Sequence, residues 1–235
     1  MKSYGITNIG KVRLKNDDSF YCSDGKKGLY IVADGMGGYK GGELASKIAV
    51  ATAVEELKDT DEITPEIAST LVEKIRIYLE DEVKKNPSLR DMGTTLICAL
   101  SHGRDFSCLH IGDSRAYHIL GKRIQQLTED HTLVNILYKS GVLEKEELPN
   151  HPKRSVLMKA ISLYGDNEAD VFNFNLDKEE YLLLCSDGLT DQLTNTEILN
   201  VFKMHNEPEK IGKELVRLAL ESGGRDNIAV VVVKA

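Results

Sequence analysis

The 235-residue sequence has no stretch near the ~18 consecutive apolar residues that a membrane span needs. Its longest apolar run, IAVVVV near the C-terminus, has the length of a buried strand. The opening MKSYGITNIG lacks the apolar core of a signal peptide, so a cytoplasmic protein with no membrane association is expected. Positive charge is in deficit. A net charge of -7 argues against a nucleic-acid binder, which carries a basic footprint. Cysteine is scarce, and Cys22, Cys98, Cys108 and Cys185 show no metal-ligand spacing. Cys98 and Cys108 lie equidistant from Gly103 in an expected hairpin, where they could face each other. In a reducing compartment the preferred reading is two small buried hydrophobes. Low-complexity segments, internal repeats and Pro/Gly/Ser linkers are also missing, so residues 1–235 are expected to form one domain.

What remains is an ordinary soluble composition, 41% hydrophobic and 29% charged, long enough to bury a sizeable core. Strand-like runs SYGIT, SFYCSD and LYIVAD open the chain. A helix is expected from about Glu43 to Leu57, with Leu44, Ile48, Ala51 and Val54 at helical spacing. Thr64-Pro65 announces a second helix by a cap residue and a proline at its first position. Ile67, Leu71, Ile75, Leu79 and Val83 mark its buried face. Four strands follow (GTTLICAL, FSCLHIGD, RAYHIL and RIQQLT), then a helix with an irregular segment, and SVLMKAIS, expected helical. The end reads DVFNFNL and YLLLCSD as strands, EILNVFKMH and KIGKELVRLALE as helices, and NIAVVVV as a last strand. Blocks of strands beside pairs of helices indicate an α+β fold with largely antiparallel sheet. The continuously apolar runs LYIVA and YLLLC indicate strands covered on both faces, hence a layered sandwich.

The stretch LYIVADGMGGYKGGE places five glycines between Gly35 and Glu43, directly after an apolar strand. It does not satisfy G-x-x-x-x-G-K-[ST], because Gly41 follows Lys40, nor G-x-G-x-x-G, because Lys40 takes the third glycine position. A nucleotide loop is therefore not expected. Asp34 suggests a different use, a carboxylate at a strand end beside a glycine whose bare backbone lets a carbonyl reach a cation.

The same arrangement recurs. Asp187 follows YLLLCS and precedes Gly188, with Asp191 four residues on. Asp113 follows SCLHIG, Asp226 precedes the last strand, and Asp17 and Asp18 precede an early one. Clustered carboxylates repel one another, so a rim of them implies hard divalent cations such as magnesium or manganese. His110, His118, His131 and His151 have no H-E-x-x-H spacing, which argues against zinc. Ser114 and Ser186 sit beside aspartates but outside any G-x-S-x-G elbow, so a serine hydrolase is set aside.

Taken in order, VRLKNDDSF, VADGMGGYKGGELAS, DMGTTL, IGDSRAY, LTEDHTLVN, HPKRSVLMKAIS, LLLCSDGLTD and GGRDNIAVVVV resemble the metal-dependent, type 2C-like Ser/Thr protein phosphatases across essentially the whole chain. The resemblance implies a four-layer α-β-β-α sandwich, two antiparallel β-sheets flanked by helix pairs, in the compact form of bacterial members. It implies that Asp34 bridges two metal ions and that the Gly35 carbonyl binds one of them. Asp187 and Asp226 would complete the first shell, and Asp18 would hold the second ion largely through water. By the same resemblance Asp113 and Asp191 hold a possible third ion, and Arg13 grips the substrate phosphate.

The implied reaction is hydrolysis of phosphoserine and phosphothreonine by in-line attack of a metal-bridging hydroxide, with manganese or magnesium as cofactor. Phosphorylated proteins would be the substrates and a Ser/Thr kinase the antagonist, with the enzyme a monomer. Two other classes stay open at this point, a phosphoesterase for small molecules using the same core and a non-catalytic regulatory module. Departures from the family pattern fall at Tyr39 and Met36, where some members carry histidine, at Ser155 and at ISLYGD. The resemblance also implies a flap over Thr132–Ser155.

Overall fold

A computed structural model describes residues 1–23 and 27–235, and all of their side chains except those of Tyr39 and Lys40. The end of the SFYCSD run at Asp24 and the Tyr39 side chain thus lie outside the described residues. The chain begins with β1 (Lys2–Asn8), β2 (Asp18–Cys22) and β3 (Lys27–Met36), followed by α1 (Gly38–Leu57) and α2 (Pro65–Lys85). Next come β4 (Gly93–Thr94), β5 (Leu96–His102), β6 (Asp105–Ile111), β7 (Arg115–Leu120), β8 (Arg123–Gln126) and α3 (Leu133–Lys139). The last part holds β9 (Ile161–Ser162), β10 (Asp170–Asn175), β11 (Tyr181–Cys185) and the short α4 (Asp187–Thr190). It ends with α5 (Asn195–Met204), α6 (Pro208–Glu221) and β12 (Ile228–Lys234).

The strands form two antiparallel sheets. One runs β1-β12-β11-β7-β8; the other runs β10-β6-β5-β3-β4-β9, with β2 on the free side of β3. Alternation along each strand divides the apolar side chains among three layers. Leu29, Ile31 and Ala33 of β3 face α1 and α2, while Tyr30 and Val32 face the other sheet. In β12, Ile228, Val230 and Val232 pack under α5 and α6, and Ala229, Val231 and Val233 fill the space between the sheets. Strands buried on both faces explain the unbroken hydrophobic runs.

Helix α2 is as expected: the Thr64 side chain accepts a hydrogen bond from Ile67 N, Pro65 opens the helix, and Leu71, Ile75 and Leu79 are buried. Three readings need correction. Helix α1 begins at Gly38, and its buried stripe is Ala45, Ala49, Ala53 and Leu57, whereas Ala51 is exposed. Small residues let the helix axis approach β3 closely, and the bulkier Leu44 and Ile48 flank that contact half-buried. The segment SVLMKAIS is not helical. Its backbone pairs sideways instead, through Met158 N donating to His131 O, Ala160 N donating to Asp166 O, and the pairing of β9 with β4. Cys98 and Cys108 do not face each other either. The β5–β6 hairpin pairs His102 with Asp105, which sets Cys98 opposite Leu109 and Cys108 opposite Ala99. The two free thiols therefore point to opposite faces of the sheet.

Candidate active site

The carboxylates come from both sheets, not from one rim as strand order alone would have it. Asp18 and Asp34 are direct partners across β2 and β3. Asp113 sits on the turn between β6 and β7. Asp187 opens α4 after β11, Asp191 closes it, and Asp226 precedes β12. All of these except Asp18 line one cleft of about 970 Å3, together with Arg13 and Gly35. Asp18 lies behind them, 5% exposed.

Local bonds hold the Asp34 backbone and one oxygen of Asp18. The Asp34 backbone is clamped by Thr94 and Thr95. Asp34 N donates to Thr95 Oγ1 at 2.9 Å, and Thr95 N and Thr94 Oγ1 both donate to Asp34 O at 2.9 Å. Thr95 Oγ1 also lies 2.8 Å from Ser114 Oγ in a buried contact. Across the cleft, Ala229 N donates to Ser186 Oγ, which donates in turn to Asp18 Oδ2 at 2.7 Å. Ser186 thus joins the two sheets at the site. Sequence pattern suggests it only as a nucleophile, a role its burial and bonding exclude.

The glycines of the opening loop serve close backbone packing. A Cβ on Gly35 would lie 2.0 Å from Gly42 O and 2.8 Å from Asp17 O. Gly37 has φ +115 with Asp91 O 2.5 Å from where its Cβ would be, a conformation and a space that only glycine tolerates. The chain can therefore turn from β3 into α1 without lifting Asp34 away from the cleft.

Charge is unbalanced here. Burial, then the neighbouring Asp18, Asp187, Asp113 and Asp226, push the Asp34 carboxyl well above its usual range. Burial pushes Asp18 up to about 8 against the lowering effect of the Ser186 bond, with Asp187 and Asp226 adding to the rise. Asp187 is raised to about 6 by burial and by Asp191 and Asp226. Asp113 is raised by burial, and next by Asp187 and Asp130. Asp18 Oδ1 and Asp187 Oδ1 are buried with no hydrogen-bond partner among the described residues. Buried acceptors with excess negative charge and no donor are what a cation would satisfy.

Two arginines reach the cluster. Arg13 donates to Asp226 Oδ2 at 2.5 Å from a half-exposed position at the cleft mouth. Arg154, from the segment after α3, pairs with Asp191. The loop bearing Arg13 is tied down by Asn227, which lies in the GGRDNIAVVVV segment without a role assigned to it from sequence. Its Nδ2 donates to Ile9 O at 2.9 Å and Lys15 O at 2.8 Å, and its Oδ1 accepts from Asp17 N at 2.8 Å. Asn227→Ala removes three bonds at a buried position and is expected to destabilise the protein by ~2–4 kcal/mol. Urea unfolding measures it, and a change below 1 kcal/mol would show that the loop holds itself.

A separate polar group, His110, His131 and Asp170, is brought together by the β6–β10 pairing. Gly112 N donates to His131 Nδ1 at 3.1 Å, which leaves the ring proton on Nε2, 3.1 Å from Asp170 Oδ2. His131 therefore has no lone pair left for a cation. Burial pushes the neighbouring His110 down to about 4, so its ring stays neutral.

This arrangement of two antiparallel sheets and covering helices matches solved serine/threonine phosphatase structures. The crystal structure of the Mycobacterium tuberculosis serine/threonine phosphatase PstP/Ppp superposes with a TM-score of 0.91 at 33% identity, covering 99% of this chain and 97% of that one. The chain belongs to the protein phosphatase 2C family, whose model matches residues 10–217. Among curated relatives, the serine/threonine phosphatase Stp of Listeria monocytogenes is 34% identical over 97% of this chain and 93% of its own length. A structure of the PstP catalytic domain in complex with two manganese ions has a TM-score of 0.88 at 31% identity, covering 99% of this chain and 97% of that one.

Proposed function

We propose that residues 1–235 are one catalytic domain that hydrolyses phosphoserine and phosphothreonine in proteins and depends on divalent metal. It would act as a cytoplasmic monomer opposing a Ser/Thr kinase. The observation that carries this reading is the buried pair Asp18 and Asp34, set among further carboxylates, with Asp18 Oδ1 and Asp187 Oδ1 lacking a hydrogen-bond partner among the described residues.

The donor set is all oxygen, which suits manganese or magnesium. Asp34, Gly35 O, Asp187, Asp226 and Asp18 would hold two ions, and Asp113 with Asp191 a third. Bound ions would supply Lewis-acid stabilisation and an activated water nucleophile. The chain's own residues do the rest. Thr94 and Thr95 fix the Asp34 backbone, and Ser186 holds Asp18 through Oδ2, which leaves Oδ1 free of any bond among the described residues. Arg13 presents its guanidinium at the cleft mouth, where a phosphomonoester carrying nearly two negative charges would enter.

Arg13→Ala is expected to lower kcat/KM by roughly 10- to 200-fold, about 1.5–3 kcal/mol for a charge-assisted hydrogen bond. A near-normal rate at low substrate would remove Arg13 from the mechanism. Hydrolysis of a phosphothreonine peptide with manganese, with and without chelator, tests the whole reading, and activity that survives complete metal removal overturns it. A small-molecule phosphoesterase would use the same residues. The size of the cleft favours the protein substrate, and a preference for small esters over phosphopeptides would reverse that choice.

A further inference from the structure

The neighbours of Arg13 in sequence, Val12 and Leu14, are 64% and 86% exposed, yet both line the cleft. Met158 and Tyr164, 43% and 71% exposed, line it from the segment around β9. Single exposed apolar side chains are ordinary. Four of them edge this one concavity, where an incoming ligand displaces water from their apolar surface. The volume of about 970 Å3 is near the top of the ~300–1,000 Å3 typical of ligand pockets, far more than a phosphoryl group fills. Asp17 and Asp166 also line the cleft, so an acidic side chain beside the phosphate would meet like charge there.

We propose that Val12, Leu14, Met158 and Tyr164 receive the residues flanking the phosphorylated side chain. The site then selects phosphopeptides with an apolar residue next to phosphothreonine. This deepens the phosphoprotein reading above and rests on it. Lys15 and Arg225 line the same cleft, so the competing preference is for an acidic neighbour, and the test separates the two.

Three phosphothreonine peptides of equal length, with leucine, serine or glutamate on both sides of the phosphorylated residue, are compared with manganese present. para-Nitrophenyl phosphate is run in parallel as a small ester. The leucine peptide should exceed the serine peptide in kcat/KM by about 5- to 20-fold, mainly through KM, with the glutamate peptide lowest. Leu14→Ser and Tyr164→Ser, both surface changes, should each cut that advantage to under about threefold relative to small-ester turnover. Equal turnover of the leucine and serine peptides overturns the inference and leaves the phosphoprotein reading standing. A best rate with the glutamate peptide, or an unchanged ratio in both variants, also overturns it. Light scattering that shows a dimer dissociated by Leu14→Ser would assign the patch to a second copy of the chain. Small-ester hydrolysis with no peptide hydrolysis at all removes both readings together.

Discussion

Asp34→Asn should lower phosphopeptide turnover by about three orders of magnitude, the scale of several kcal/mol of electrostatic stabilisation lost with a charged ligand. The substitution keeps the size of the side chain, and the clamp by Thr94 and Thr95 is made to the backbone, so the fold around it is retained. In chelator the same variant should melt several degrees above the parent, because it removes a charge that Asp18, Asp187, Asp113 and Asp226 oppose. Lost activity with raised metal-free stability is the signature of a ligand kept for function at a cost to the fold. A variant that retains a tenth of the parent rate, or one destabilised in chelator, would show that Asp34 is structural.

The second large effect is linkage between protons, metal and folding. Asp18 and Asp187 titrate near 8 and 6 in the folded chain, above the ~4 of an unfolded aspartate, and Asp34 shifts the same way. A carboxyl whose folded value is raised binds its proton more tightly in the folded state. The folded state is therefore favoured at low pH, and that advantage is lost as pH rises from about 4 through the folded values. With chelator present, the melting temperature should fall between pH 6.5 and pH 8. Surface carboxylates such as Glu43 and Glu55, lowered by their lysine partners, act below that window. Saturating manganese at pH 8 should restore about 10 °C. That is the shift expected from ~4 kcal/mol at a thousandfold excess over Kd in a chain of this length. The gain should shrink toward pH 5, where protons compete for the same oxygens. Buried His110, lowered to about 4, acts in the opposite sense below about pH 6.5. A melting temperature in chelator that is flat or rises from pH 6.5 to pH 8 would therefore show that the carboxylates carry compensating partners.

Much of this site is legible in sequence because its geometry is carried by strand ends. Asp34, Asp113 and Asp187 each follow an apolar run, and Asp226 precedes one, so a rule about strands and their termini finds all four. Their gathering from two sheets is not legible, since it depends on how the sheets stack. The supporting residues escape for a related reason. Thr95, Ser186 and Asn227 become informative only once a partner far along the chain is known, such as Asp18 for Ser186 at 168 residues' separation. The alanine stripe of α1 is masked by larger neighbours, because Leu44 and Ile48 dominate any periodicity read from hydrophobicity alone. SVLMKAIS misleads because eight residues with spaced apolar side chains fit a short helix as well as a laterally paired extended segment.

The division of the carboxylates between the sheets has a mechanical consequence. Within one sheet, the separation of Asp18 and Asp34 is set by a backbone ladder that side-chain changes barely alter. Across the cleft, the gap between that pair and Asp187 or Asp226 depends on the thickness of the layer built from Val32, Ile97, Leu184 and Val231. That layer works as the spindle of a caliper whose jaws are the carboxylates. Magnesium–oxygen distances of ~2.0–2.1 Å and calcium–oxygen distances of ~2.3–2.6 Å differ by less than the length of one methylene. If these carboxylates hold the ions as proposed, the choice of ion is coupled to residues that never touch it.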